Sequence, residues 1–216
     1  MNKEFKFQGL RQKLVKELSK KGISDENVLN AMEKVKRHLF VDELLQDSAY
    51  EDRALPIAFN QTISQPYTVA FQTQLLQAQK GMRVLEIGLG SGYQAAVLCE
   101  MGLTVFSVER IKDLANATKK LLNNLGYDVT IKIGDGTLGW QTFAPYDRIV
   151  VTAASPSVPE PLLQQLVVGG ILVIPVGDKE TQKMYQIRKI SENQYETKIY
   201  DEFKFVPLIG DKGWKE

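Results

Sequence analysis

From about residue 82 onward, short unbroken apolar runs alternate with amphipathic ones. Arg83–Ile87, Thr104–Val108, Val129–Ile133, Arg148–Thr152 and Ile171–Pro175 are rich in Val and Ile and about five residues long. Such runs suit strands covered on both faces. Between the second and third, Ile111, Leu114, Ala115, Thr118, Leu121, Leu122 and Leu125 recur at helical spacing, and Gly126 follows as a stop signal. Strand and helix alternating in this way predict an α/β fold, a doubly wound, mostly parallel sheet with helices on both faces and right-handed connections.

The two ends of the chain carry other patterns. Met184–Ile190 and Tyr195–Tyr200 alternate apolar with polar positions and are joined through Ser191-Glu192-Asn193. That pattern predicts a pair of antiparallel strands at one end of the sheet. The first eighty residues read as helical, with segments at Gly9–Lys20, near Glu26–Lys36 and after Pro66. Between the last two lies a stretch from Phe40 to Gln65 without a clear period, and loops of that length are often functional. With 216 residues, no linker and no internal repeat, a single domain is expected, divided at about residues 80 and 177.

Composition narrows the function classes. Hydrophobic residues make up 44% and charged residues 25%, with a formal net charge of +1, which describes an ordinary globular protein. A near-neutral balance argues against nucleic acid as a partner, since such binding normally leaves a basic stripe. The lysines of Lys13–Lys21 share a helix with Leu10, Leu14 and Leu18, so they read as its solvated face. The one cysteine, Cys99, lies in an apolar helical stretch and leaves neither an internal disulfide nor a thiolate metal cluster. No apolar run approaches the ~20 residues of a membrane span, and the start lacks a signal-peptide pattern, so a cytoplasmic protein away from membranes is expected.

The densest chemistry sits in Val84-Leu85-Glu86-Ile87-Gly88-Leu89-Gly90-Ser91-Gly92-Tyr93. Glycines between a strand and a helix let the backbone approach a ligand beside the unpaired N–H groups of the helix start. A dinucleotide fingerprint would need glycine at position 93, where Tyr93 stands. Glu86, two positions before the first glycine, suits a ligand's ammonium group and offers a pyrophosphate nothing. Glu109, at the tip of the second strand, is placed to hold both hydroxyls of a ribose. Asp135-Gly136 ends the third, where a side-chain acceptor meets an adenine amino group. Together these predict S-adenosylmethionine bound by Glu86, Gly88, Gly90, Ser91, Gly92, Glu109, Arg110, Asp135 and Gly136.

At this point the residues resemble a known family. The segment Glu86–Tyr93, with Gly134-Asp135-Gly136 and Gly139, is similar to the cofactor motifs of the protein-L-isoaspartate (D-aspartate) O-methyltransferases, Rossmann-like class I methyltransferases. The resemblance extends to Thr62-Ile63-Ser64-Gln65-Pro66, Ala144-Pro145-Tyr146-Asp147, Gln165-Leu166 with Gly169-Gly170, Ile174-Pro175-Val176-Gly177 and Phe205-Val206-Pro207-Leu208, and covers about Arg37 to Trp214. Two positions depart from the pattern. Leu89 stands where a small hydroxyl residue is common, and Asp42 where proline is common.

The resemblance implies methyl transfer to the free α-carboxylate of an isoaspartyl residue in damaged proteins, with S-adenosylhomocysteine as product and a succinimide formed from the ester. It also implies Ser64 as the catalytic side chain, with Thr62, Ile63, Ser64, Val206 and Pro207 contacting substrate. The helical extension 1–80 then faces substrate, 81–177 binds the cofactor, and 178–216 adds strands. Tyr50, Asp52 and Leu55-Pro56-Ile57 are expected to wall the same cleft, and a monomer is expected. A carboxylate with a reference pKa near ~3.5–4 is already ionised at neutral pH, so no general base is required and His38, the lone histidine, need not take part. Three alternatives stay open from the residues: a methyltransferase of another carboxylate or small molecule, a non-catalytic S-adenosylmethionine-binding module, and, more weakly, an NAD-dependent oxidoreductase. A base-modifying enzyme is disfavoured, because Thr152-Ala153-Ala154-Ser155-Pro156 lacks the Pro-Pro-aromatic run such enzymes carry after the fourth strand.

Overall fold

A computed structural model describes residues 3–215. Helix α1 spans Lys3–Lys20, starting six residues before the expected Gly9. The extra turns hold because Phe7 is buried in line with Leu14 and Leu18 at helical spacing. Helix α2, Glu26–Lys34, begins at Asp25, whose carboxylate accepts from the N–H groups of Asn27 and Val28.

The stretch from Phe40 to Gln65 is less irregular than its sequence suggests. It contains a 3-10 turn at Glu43–Ser48, after another at Arg37–Phe40, and a short antiparallel pair, β1 (Leu55–Pro56) and β2 (Thr62–Ile63). The pair turns through Phe59 and Asn60, both in the left-handed region at φ 60° and 55°. Helix α3 follows, Pro66–Leu76, with Pro66 in the first turn.

Next come β3 (Arg83–Ile87), α4 (Tyr93–Glu100), β4 (Thr104–Glu109), α5 (Lys112–Asn124), β5 (Val129–Ile133), β6 (Tyr146–Val151), α6 (Glu160–Gln164) and β7 (Leu166–Gly177). The edge pair is β8 (Gln182–Ser191) and β9 (Gln194–Phe203). All five predicted core strands are present, though β7 runs well past the expected Ile171–Pro175. Together the strands form one seven-stranded sheet in the order β5-β4-β3-β6-β7-β8-β9, in which β8 alone runs against the others, antiparallel to both β7 and β9.

Alternation along each strand splits the core in two. Val84, Val105, Val150 and Val173 pack with the first four helices, whereas Leu85, Ile87, Phe106, Ile149 and Leu172 pack with Leu162, Trp140 and Phe143 on the opposite face. Strand order reverses between β3 and β6, because β4 and β5 extend the sheet to one side and β6 begins the other. A crevice outside the carboxyl ends of strands at such a point is where α/β sheets bind ligands. The tail returns to it, with Pro207 bridging Ala154 just past β6.

Candidate active site

At that reversal lies a cavity of about 320 Å³. Its floor is made of strand ends and the loops that leave them: Ile87–Ser91 after β3, Val108–Ile111 at β4, Gly136 after β5, and Thr152-Ala153 after β6. Its opposite wall is Asn60–Ser64 from the β1–β2 turn and Val206–Ile209 from the tail.

The floor is tightly tied. Thr152 donates its hydroxyl to the carbonyl of Gly88 at 2.7 Å, across the reversal point. A Cβ on Gly88 would sit 2.5 Å from that hydroxyl oxygen, on a backbone at φ +96°, so glycine is needed there on both counts. The Gly90 N–H donates to Glu109 Oε2 at 3.0 Å, and the Ile111 N–H donates to Oε1 at 2.9 Å. These two bonds hold the Glu109 carboxylate against the cavity, and each oxygen keeps a lone pair for a ligand hydroxyl. Gly92 serves packing instead. A Cβ there would meet Thr118 Cγ2 at 2.7 Å and the Leu122 methyls at 3.2 Å, so its bareness lets α5 approach the loop.

Of the residues predicted from sequence, Thr62, Ile63, Ser64, Gly88, Gly90, Ser91, Glu109, Arg110, Gly136, Val206 and Pro207 stand on the cavity wall. Glu86, Gly92 and Asp135 do not. Glu86 shares its side of β3 with Val84, facing away from the cavity that Ile87 reaches. It is fully buried beside Ser107 of β4, which donates to Oε2 at 2.6 Å, while Oε1 has no partner. Burial pushes its carboxyl up to about 8, so it is protonated at neutral pH and cannot be the anionic partner of an ammonium group.

Asp135 is turned toward the tail. Its Oδ1 accepts from the Thr137 N–H and hydroxyl, and its Oδ2 from the Asp211 N–H. Burial works against its charge, but those bonds outweigh it and hold the carboxyl below its ordinary value. Asp135 thus pins the segment that closes the cavity, and Gly136 takes the wall position beside it.

The expected outer wall also differs. Tyr50, Asp52 and Leu55–Ile57 back the site without lining it. Tyr50 shares its hydroxyl with Arg11 and with His38 Nδ1, and His38 stacks on Phe7 with ring centroids 4.0 Å apart. Asp52 accepts from the Tyr67 N–H at the start of α3 and pairs with Lys21. Buried Arg37 joins this support to the floor. It donates to the carbonyl of Ala49 at 2.8 Å and lies 4.8 Å from the ring centre of Tyr93. Cys99 donates to the Asp128 carbonyl, and its thiol is pushed up to about 12 by burial, as an inert thiol should be.

Ser64 occupies a junction. A second, larger cavity of about 850 Å³ opens between α3 and β9, lined by Tyr67, Phe203, Phe205, Asp201 and Glu202 among others. Thr62, Ser64, Thr152 and Val206 belong to the walls of both cavities. Ser64 does not cap α3, since the cap position is Gln65 and no side-chain cap bond forms. On the tail, the Val206 carbonyl accepts from the Ala154 N–H at 2.8 Å and the Leu208 N–H donates to the Ala154 carbonyl at 2.7 Å, which fixes this segment beside Thr152.

Sequence reasoning missed Asn60, Gln61, Gln72, Gln94, Thr152 and Leu208-Ile209 on the same wall. Gln94 and Thr152 carried a readable signal, Gln94 as a polar side chain just past the glycine loop and Thr152 as one at the end of the fourth apolar run. The others depend on tertiary approach alone.

Among known proteins, the family model described as protein-L-isoaspartate(D-aspartate) O-methyltransferase matches residues 9–213. A protein-L-isoaspartate O-methyltransferase of Cytophaga hutchinsonii is 53% identical over 99% of this chain and 97% of its own length. A solved protein-L-isoaspartate O-methyltransferase superimposes with a TM-score of 0.86 at 32% identity, covering 94% of this chain and 67% of that one. A Plasmodium falciparum protein assigned to the same activity, solved in complex with S-adenosyl-L-homocysteine, gives a TM-score of 0.80 at 26% identity over 92% of this chain and 98% of its own. With the family model matching nearly end to end and half of all positions shared with a full-length relative, the chain belongs to the protein-L-isoaspartate O-methyltransferase family.

Proposed function

We propose that this protein transfers a methyl group from S-adenosylmethionine to the free α-carboxylate of L-isoaspartyl residues in damaged proteins and peptides, the first step of their repair through a succinimide. The observation that carries the reading is the position of Ser64 on the wall shared by the two cavities, one floored by the glycine loop and one open to a peptide. The floor fits the donor. Glu109 has acceptor capacity left for a ribose diol, the backbone at Gly88–Ser91 is bare enough for close approach, and Gly136 leaves room at the β5 end for an adenine edge. When bound, the donor supplies an activated sulfonium methyl group.

The chain's own task is then placement. Ser64 donates a hydrogen bond to the incoming carboxylate and fixes which oxygen faces the methyl group. Thr62, Ile63, Val206 and Pro207 hold the peptide on either side of it. Holding two reactants in line contributes roughly 7–11 kcal/mol to a bimolecular step. Among the described residues, the titratable side chains on the cavity wall are Tyr93, Glu109 and Arg110. The Tyr93 hydroxyl is turned to Met32 Sδ, and burial pushes it up to about 12, while both oxygens of Glu109 already accept backbone N–H groups. A site without a base suits an acceptor that is already an anion, whereas an amine or alcohol would have to lose a proton.

In this reading 1–80 lies on the substrate side, 81–177 holds the donor and 178–216 adds the C-terminal strands. One copy of the chain supplies both walls, which supports a monomer as the acting unit. No helix among the described residues is long and apolar enough to cross a membrane. The reading places the enzyme in the cytoplasm, with isoaspartyl proteins rather than nucleic acid or membranes as partners.

The test is the product and its pH dependence. Incubation of an isoaspartyl peptide with the enzyme and methyl-labelled donor should give a base-labile ester that collapses to the succinimide. Single-turnover rates should vary less than about twofold between pH 6 and 8, because the acceptor titrates near ~3.5. A base-stable methyl adduct, or a rate rising tenfold per pH unit, would contradict the reading.

A further inference from the structure

We infer that Gln94 is the acceptor for the α-amino group of the bound donor, the role that sequence pattern assigns to Glu86. The inference rests on the proposed function's identification of the donor. Gln94 is the second residue of α4, lines the cavity, and is 6% exposed. Its Nε2 donates to Thr73 Oγ1 at 2.9 Å.

That bond decides which way the carboxamide points. The Thr73 hydroxyl donates its only proton to the Val69 carbonyl at 2.7 Å, so toward Gln94 it can only accept. Nε2 must therefore face Thr73, and Oε1 must face the other way. Oε1 is buried and has no hydrogen-bond partner. A buried amide oxygen left unpaired is costly, and such atoms in folded proteins mark a missing donor.

The topology identifies that donor. A ligand lying across the strand ends in the sheet order β5-β4-β3 places adenine near Gly136, ribose at Glu109 and its amino-acid end on the loop after β3. Gln94 follows that loop on α4, and its bond to Thr73 ties it to α3 on the cavity wall. The ammonium group is the only nitrogen donor at that end of the molecule. Glu86, fully buried beside Ser107 and absent from the cavity wall, is not placed to meet it.

The experiment is calorimetric titration of S-adenosylhomocysteine and of its deaminated analogue, in which hydrogen replaces the amino group. Wild type should prefer S-adenosylhomocysteine by about 10- to 100-fold, the range for a hydrogen bond to a charged donor. Gln94→Met, near in length and volume but with only a weak acceptor, should cut that preference below about threefold, chiefly through lost S-adenosylhomocysteine affinity. Gln94→Glu, which presents a charged acceptor, should widen the preference by threefold or more. Either result supports the assignment on its own, so a misfolded Met variant does not remove the test. An unchanged preference in every variant that folds would overturn the role of Gln94 while leaving the proposed function intact. A wild-type protein that binds neither compound would overturn the donor identification itself, and this inference with it.

Discussion

The floor and the wall of the cavity are built by opposite means. The floor comes from strand ends in one parallel sheet, locked by Thr152 on Gly88 and by Glu109 on the Gly90 and Ile111 amides. The wall comes from a two-residue strand pair with left-handed Phe59 and Asn60 at its turn, and from a tail segment more than 140 positions further along the chain. A non-glycine residue held at positive φ costs of order 1–3 kcal/mol and persists where the surroundings over-determine it. Here the turn is closed by its own backbone, the Ile57 N–H donating to the Gln61 carbonyl and the Gln61 N–H to the Ala58 carbonyl, while Arg37 and Asp52 tie down the segments on either side of the pair. The floor is thus a tied set of strand ends, and the wall a shaped loop that carries Ser64 to the junction of the two cavities.

Two substitutions should separate the halves. The largest effect is expected for Ser64→Ala, which removes the hydroxyl proposed to donate to the reacting carboxylate. Turnover of an isoaspartyl peptide should fall about 100-fold or more, with S-adenosylhomocysteine affinity within about twofold of wild type. Unchanged turnover would remove Ser64 from the reaction. Gly88→Ala should do the reverse. Its added Cβ meets Thr152 Oγ1 on a positive-φ backbone, and donor affinity should fall by about 10-fold or more for ~1–3 kcal/mol of strain, as read by calorimetry. If affinity is preserved and only turnover falls, the floor and wall are not separate devices.

The smallest effect tests the support hidden beneath the floor. In the folded chain Glu86 keeps its proton up to about 8, whereas in the unfolded chain the same carboxyl releases it near 4.5. The stability tied to the protonated form is complete below the lower value and is lost as pH rises through the upper one. Glu86→Gln mimics the protonated carboxyl and escapes that loss. Its Tm should therefore gain on wild type by on the order of 5 °C between pH 5 and 8. A difference in Tm that does not change with pH would contradict the burial account of Glu86.

Legibility in the sequence follows the same divide. The five core strands and the glycine loop were readable because burial on both faces leaves unbroken Val and Ile runs, and because only a bare turn can approach a ligand. Glu109 was readable as the last residue of a strand. Glu86 misled, since pattern locates a residue near the loop without telling which side of the sheet it faces, and strand alternation puts it with Val84. Asp135 misled for a related reason, because the segment at Asp211 that engages it lies 76 positions away. Ser64 and the Phe205–Leu208 segment were legible only through family resemblance. Nothing in their local composition shows that a hairpin turn and a tail meet over Thr152, nor that Gln94 and Gln72 complete the wall.

The most direct measurement compares methyl transfer to an isoaspartyl peptide with transfer to its normal aspartyl twin under identical conditions. The two differ only in which carboxylate is free and where the backbone continues, so a wall shaped around Ser64 should tell them apart. The account predicts strong labelling of the isoaspartyl peptide and none above background for the twin. Equal labelling of the two, or no labelling of either, would contradict it.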